Sequence, residues 1–172
     1  MAIVTAIDAE QRPAQTIEVG YDLASRYDDE LIVLHVMPQD LFDRRRRAMG
    51  DSEDIEGGSP TPVSYGTSRG GVSETSSSVT AYSVDDAEDD AADVAREILD
   101  ETLDEYDDVT VRGRVGDSTE EVLAEAERTD ARYLVIGGRK RTPVGKAVFG
   151  STTQSILLDV DRPVVTVMRD NE

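Results

Sequence analysis

The sequence predicts an α/β fold: a five-stranded parallel sheet with helices on both faces and a long flexible insertion after the second strand. Three observations predict it. Short apolar runs alternate along the chain with segments of helical period, the pattern of strands joined by crossover helices. The second run, Leu31 to Val36, is almost continuously apolar, as a parallel strand covered on both faces must be. Between Pro38 and Asp86 the pattern stops, and Ser, Gly, Thr and acidic residues take over.

In chain order, Ala2–Ile7 (AIVTAI) is the first strand and ends at Asp8. Pro13 leads into a helix over Ala14–Tyr27, where Ile17, Tyr21 and Ala24 fall on one face. Asp28-Asp29 breaks the period, Leu31–Val36 is the second strand, and Pro38 closes it. Residues 38–86 cannot bury enough apolar surface to offset their ordering entropy. They are expected to form a mobile insertion within one domain spanning 1–172, with a helical turn near Leu41–Met49. A helix follows over Asp86–Asp104, striped by Ala91, Val94, Ala95, Ile98 and Leu99. Val109–Val115 is the third strand. Ser118-x-x-Glu121 has the spacing of a capping box for a helix carrying Val122, Leu123 and Ala126. Tyr133–Ile136 is the fourth strand, Gly150–Leu158 a helix with Ser151-x-x-Gln154 as a second capping box, and Val164–Met168 the fifth strand.

The composition narrows the functional classes. The 172 residues carry 37 acidic and 18 basic side chains, a formal net charge of −19, and only Lys140 and Lys146 among the cations are lysines. Excess carboxylate with scarce lysine resembles proteins from salt-in halophiles, where molar salt screens self-repulsion within roughly 3 Å. Such a surface disfavours nucleic acid, whose phosphates need concentrated cations. The chain has no cysteine, which removes thiol chemistry. No apolar run approaches the roughly 20 residues that span a bilayer, and the first strand begins at Ala2 with no signal-like segment. A cytoplasmic protein with no membrane partner is expected.

The densest chemical signal lies after the fourth strand. Gly137 and Gly138 run into Arg139, Lys140 and Arg141, and the loop closes at Gly150-Ser151 on a helix head. Glycines allow close backbone approach, and a helix N-terminus offers unpaired N–H groups with a partial positive charge. Loop and helix head together suit a phosphate. His35, the one histidine, reads as a hydrogen-bonded residue of the second strand, and Arg44–Arg47 as a solvated run in the insertion, with an anion or an acidic partner as the alternative. The insertion serines, Ser76 to Ser78 among them, are candidate phosphorylation sites by composition alone. No Ser/His/Asp order in a strand-turn-helix context, HExxH or P-loop is present. A receiver domain is a rival on fold alone, but Asp8, Glu10 and Asp117 do not compose its acidic set.

Outside residues 38–86 the chain resembles the universal stress proteins, small Rossmann-like nucleotide-binding modules. The resemblance rests on a glycine, two residues, a second glycine, nine residues and Gly-Ser or Gly-Thr. Gly137 and Gly150-Ser151 fill the outer positions at this spacing. Asp8 at the end of the first strand, Leu34-His35-Val36 at the end of the second, and Arg162-Pro163 before the last strand also fit. Lys140 replaces the second glycine; a side chain there crowds a triphosphate sterically and attracts it electrostatically. The resemblance implies a site for ATP or a related adenine nucleotide, with or without magnesium. Asp8 would lie near the base or ribose, Val36 would line the base pocket, and Ile136 and Gly137 would flank the ribose and α-phosphate. Gly150, Ser151 and Thr152 would donate to phosphates. Ala6 stands where another residue often shapes the base pocket. The resemblance also implies a homodimer through Val164–Met168; the lack of catalytic motifs leaves at most slow ATP hydrolysis, or autophosphorylation of the insertion, as the enzymatic expectation. A nucleotide-free dimeric interaction protein is the alternative.

Overall fold

The computed structural model describes residues 1–9, 13–50, 81–139 and 149–169. Within them the elements run β1 (Ala2–Ile7), α1 (Ala14–Tyr27), β2 (Glu30–Pro38), α2 (Gln39–Gly50), α3 (Val84–Thr102), β3 (Val109–Gly116), α4 (Ser118–Arg128), β4 (Ala131–Arg139), α5 (Ser151–Asp159) and β5 (Val164–Arg169). All five strands are parallel, in the order β3-β2-β1-β4-β5. The chain therefore winds outward from β1 to one edge, returns, and continues on the other side. Strand order reverses between β1 and β4, and in open α/β sheets ligands bind outside the strand C-termini at such a switch point.

Alternation of side chains along the strands divides the core into two layers. Ile3, Leu31, Val33 and Val135 pack against Ile17 and Ala24 of α1 and Ala95 and Leu99 of α3. Val4, Leu34, Leu134 and Ile136 pack against Val122 and Ala126 of α4 and Ile156 of α5. The predicted boundaries of β1 and α1 coincide with the structure. On α1 the buried face is Thr16, Ile17, Gly20 and Ala24, and Tyr21 is half-buried beside it.

Both predicted capping boxes need correction. The N-cap of α4 is Asp117 rather than Ser118: its carboxylate accepts from Thr119 N at 2.9 Å and Glu120 N at 3.1 Å, which a charged acceptor does better than a hydroxyl one residue on. The N-cap of α5 is Gly150, with no side-chain cap, and Ser151 is the exposed first helical residue. The capping box sits on α3 instead, where the Ser83 hydroxyl accepts from Asp86 N at 3.1 Å and the Asp86 carboxylate accepts from Ser83 N at 2.8 Å.

The segment 38–86, expected as a mobile insertion, is ordered at both described ends. It opens with the twelve residues of α2 and closes with Tyr82 and the first turn of α3. Phe42 and Tyr82 are both buried, with ring centroids 5.8 Å apart, in a cluster with Met37, Ala87 and Ala91. Residues 51–80, including the candidate phosphorylation serines, lie outside the described residues.

Arg162 shows what the Arg-Pro pair before β5 contributes. Its Nη1 donates to the carbonyls of Ala126 at 2.6 Å and Ala131 at 3.1 Å, joining the last turn of α4 to the start of β4. Pro163 O in turn accepts from Leu134 N at 3.0 Å. Charged hydrogen bonds of this kind are each worth roughly 1.5–3 kcal/mol. Arg162→Ala removes two of them and should lower unfolding stability by about 3 kcal/mol or more in a urea titration, with an unchanged m-value.

Candidate functional site

The C-terminal ends of β1, β2 and β4 open onto a cavity of about 470 Å³, within the range of small-molecule sites. Its floor is strand-end backbone and apolar side chain: Ala6 and Ile7 of β1, Leu34 and Val36 of β2, Ile136 and Gly137 of β4. Ala6 lies between Leu34 and Ile136 in the sheet register. The walls come from the helices: Pro13 and Thr16 at the head of α1, Leu41 and Arg45 on α2, Val94 on α3, Ser118 and Val122 on α4, and Thr152, Thr153 and Ile156 on α5. A second, more open depression of about 380 Å³ shares Pro38, Ser118 and Thr152 and extends toward Asp40 and Asp117.

Helix heads differ in how their first N–H groups are satisfied. Those of α3 and α4 are capped by side chains, whereas α1 and α5 have none. Both uncapped heads abut the cavity, through Pro13 and Thr16 and through Thr152 and Thr153. The first helical bond of α5 is Gln154 N to Gly150 O at 2.9 Å, so the N–H groups before it have no acceptor within the helix. Thr153 is buried, and its hydroxyl donates to Gly137 O at 3.1 Å. This bond pins the first turn of α5 to the end of β4.

His35 lines the cavity half-buried, with Nδ1 at 3.1 Å from Ile7 O. A carbonyl only accepts, so Nδ1 carries the proton and donates; in the neutral ring Nε2 is then an acceptor. The bond ties the end of β2 to the end of β1, one residue before Asp8. Among the described lining residues Asp8 is the one carboxylate and Arg45 the one permanent cation. Arg45 Nη1 donates to Asp90 Oδ2 at 2.8 Å and meets the Tyr82 hydroxyl at 3.5 Å, while that hydroxyl donates to the same Asp90 oxygen at 2.6 Å. The hydrogen bond to Tyr82 and, after it, the Asp90 carboxylate hold the guanidinium above its ordinary value against the opposing effect of burial. Burial, then the Asp90 bond, pushes the Tyr82 phenol up.

Of the residues singled out in the sequence, Asp8, Val36, Ile136, Gly137 and Thr152 meet at this cavity. Gly150 and Ser151 are at the head of α5 but not in the wall. A Cβ at Gly150 would have nothing within 4 Å, and its φ of −62° suits any residue, so the backbone there does not demand glycine. Lys140 lies outside the described residues. Sequence reasoning missed Leu41 and preferred a solvated role for Arg45; the two stand four apart on one face of α2. The signal was Leu41 and Phe42 beside the arginine run, an amphipathic pattern hidden by the polar stretch after it. Among the described residues no group of three His, Asp or Glu could hold a metal, and no helix is long and apolar enough to cross a membrane.

The family model for the universal stress protein family matches residues 69–168, more than half of the chain. A universal stress protein of Mycolicibacterium smegmatis is 48% identical over 58 residues, covering 33% of this chain and 45% of that relative. The match thus spans under half the length of the relative. Among solved structures, a universal stress protein from Archaeoglobus fulgidus aligns with a TM-score of 0.55 at 19% identity, over 96% of this chain and 97% of the other. A universal stress protein solved in complex with cAMP aligns at 0.53 and 12% identity, over 98% and 96%. The universal stress protein UspA of Lactobacillus plantarum aligns at 0.53 and 12%, over 97% of both. At these identities the structural likeness is one of fold.

Proposed function

Because this chain belongs to the universal stress protein family, we propose that it is a nonenzymatic, stress-related regulatory module that binds ATP or a related adenine nucleotide in the cytoplasm. The observation that carries the reading is the cavity at the β1/β4 switch point, which gathers Asp8, Val36, Ile136, Gly137 and Thr152 from four separate elements and their flanks. Val36, Ile136 and Ala6 offer an apolar slot for a base. The uncapped head of α5 offers N–H donors and a positive dipole end to phosphates, with the Thr152 hydroxyl beside them. Gly150 and Ser151 contribute through the backbone of that head, and Lys140, ten residues earlier in the sequence, adds a positive charge to the segment. The relative solved with cAMP carries an adenine nucleotide on the same fold.

A magnesium ion would arrive on the phosphates of the nucleotide. Asp8 is the single carboxylate of the described wall, and one carboxylate with substrate phosphates is a usual magnesium donor set. Efficient phosphoryl transfer needs a positioned nucleophile and charge stabilisation at the γ-phosphate as well. The proposed role is therefore binding, with no turnover step assigned to the residues of the wall. Calorimetric titration with ATP, ADP and AMP tests it: one site per chain is expected. No heat and no thermal shift with any of the three at millimolar concentration would overturn it in favour of a nucleotide-free interaction protein.

The same reading includes a homodimer through Val164–Met168. Among the described residues β5 is an edge strand, paired with β4 on one side only, and an unpaired edge is a template for a second copy. Light scattering in molar KCl should give twice the 18.8 kDa chain mass; a monomer would contradict the dimer and leave the nucleotide site intact.

A further inference from the structure

We infer that Arg45 is a ligand-binding residue of the cavity, a cation that selects a phosphorylated nucleotide over its neutral nucleoside. The inference rests on the nucleotide reading above and adds a contact from α2, outside the glycine loop. A chain of net charge −19 repels an anion at long range, so an anionic ligand needs a local cation. Arg45 is the one the described wall provides, and its own contacts suit it to that task. Its side chain is 41% exposed, and its bonds to described residues use Nη1 alone. A guanidinium has five N–H donors in a rigid fork, more than these described bonds use, and the fork suits a phosphate.

The partner of Arg45 is also compromised as a competitor. Asp90 Oδ2 already accepts the Tyr82 hydroxyl at 2.6 Å and is shared with Arg45 at 2.8 Å. Asp90 is itself 46% exposed, so water screens its hold on the arginine. Tyr82, packed on Phe42 of α2, and Asp90 thus fix where the guanidinium sits without exhausting it. Leu41, one turn earlier on α2, presents an apolar contact to the same cavity. The pair gives α2 a cationic and an apolar group at the spacing of one helical face.

The test compares adenosine, AMP and ATP by titration calorimetry on the full chain, for the wild type, Arg45→Ala, Arg45→Gln and Arg45→Lys, at 0.2 M and 2 M KCl (about two concentrations on either side of strong screening). Loss of a charge-assisted hydrogen bond should weaken AMP and ATP about 10-fold or more in the Ala and Gln variants, with adenosine within about 2-fold. Lysine should recover part of the loss, and the difference should shrink at the higher salt. If adenosine falls in step with AMP, Arg45 acts through α2–α3 packing and the inference is overturned. Unchanged affinities for all three ligands overturn it equally while the nucleotide reading stands. A wild type that binds none of them overturns that reading, and the role of Arg45 falls with it.

Discussion

Gly113→Ala should destabilise the protein by at least about 3 kcal/mol, the upper end of ordinary overpacking costs, and lower its melting temperature by roughly 10 °C. Gly113 is buried in β3, between Arg112 and Arg114, and faces α3. A Cβ there would stand 1.8 Å from Glu88 O and 2.5 Å from Ala92 N. Both are backbone atoms of a helix, so no rotamer change relieves the clash. Either α3 moves off the sheet or β3 leaves its register with β2. The next residue, Arg114, donates to Glu125 of α4 at 3.2 Å and also pairs with Glu88 of α3 at 3.4 Å. Glu125 is 1% exposed and is shared with Arg128 and Arg112. Displacing β3 would loosen these ion pairs as well, and a buried carboxylate left without partners is costly. Thermal and urea unfolding followed by circular dichroism check the expectation; a variant as stable as the wild type would show that α3 and β3 are not packed as described.

Ala6→Phe should abolish nucleotide binding, weakening it at least about 100-fold, or about 2.7 kcal/mol, while the protein stays folded. Ala6 is the penultimate residue of β1, half-buried, and lies in the cavity floor between Leu34 and Ile136. Its methyl leaves the slot over the strand ends open. A phenyl ring at that position occupies the space that the base requires in a cavity of about 470 Å³. Calorimetry with AMP reads the loss, and a melting temperature within a few degrees of wild type separates a filled cavity from an unfolded chain. Undiminished affinity in the folded variant would move the ligand away from the β1/β4 switch point.

The order of elements was legible because it rests on local periodicity. β1 and α1 appear in the structure with the bounds their apolar spacing predicts, and the same periodicity placed β2 to β5 within a few residues. Caps were less legible because neighbouring residues compete for one role: Asp117 and Ser118 are both good N-caps, and only the backbone course shows which one turns back to Thr119 N. The ordered ends of the insertion were hidden for another reason. α2 is held by Phe42 against Tyr82 and by Arg45 to Asp90, contacts separated by 40 and 45 residues in sequence. No local window holds both partners, so the arginine run read as solvated. Of the cavity lining, Asp8, Val36, Ile136 and Gly137 were reached through the family resemblance, which attaches to strand ends and glycines. The lining was illegible where helices from elsewhere close over the cavity, at Thr16, Val94 and Arg45.

The most direct test of a nucleotide in this cavity is mass spectrometry of the small molecules released when the purified protein, kept in molar KCl to screen its net charge of −19, is denatured. About one adenine nucleotide per chain from the wild type, and none from Ala6→Phe, is the expected result. A wild type that is empty on purification and also fails to take up added ATP or AMP would contradict it.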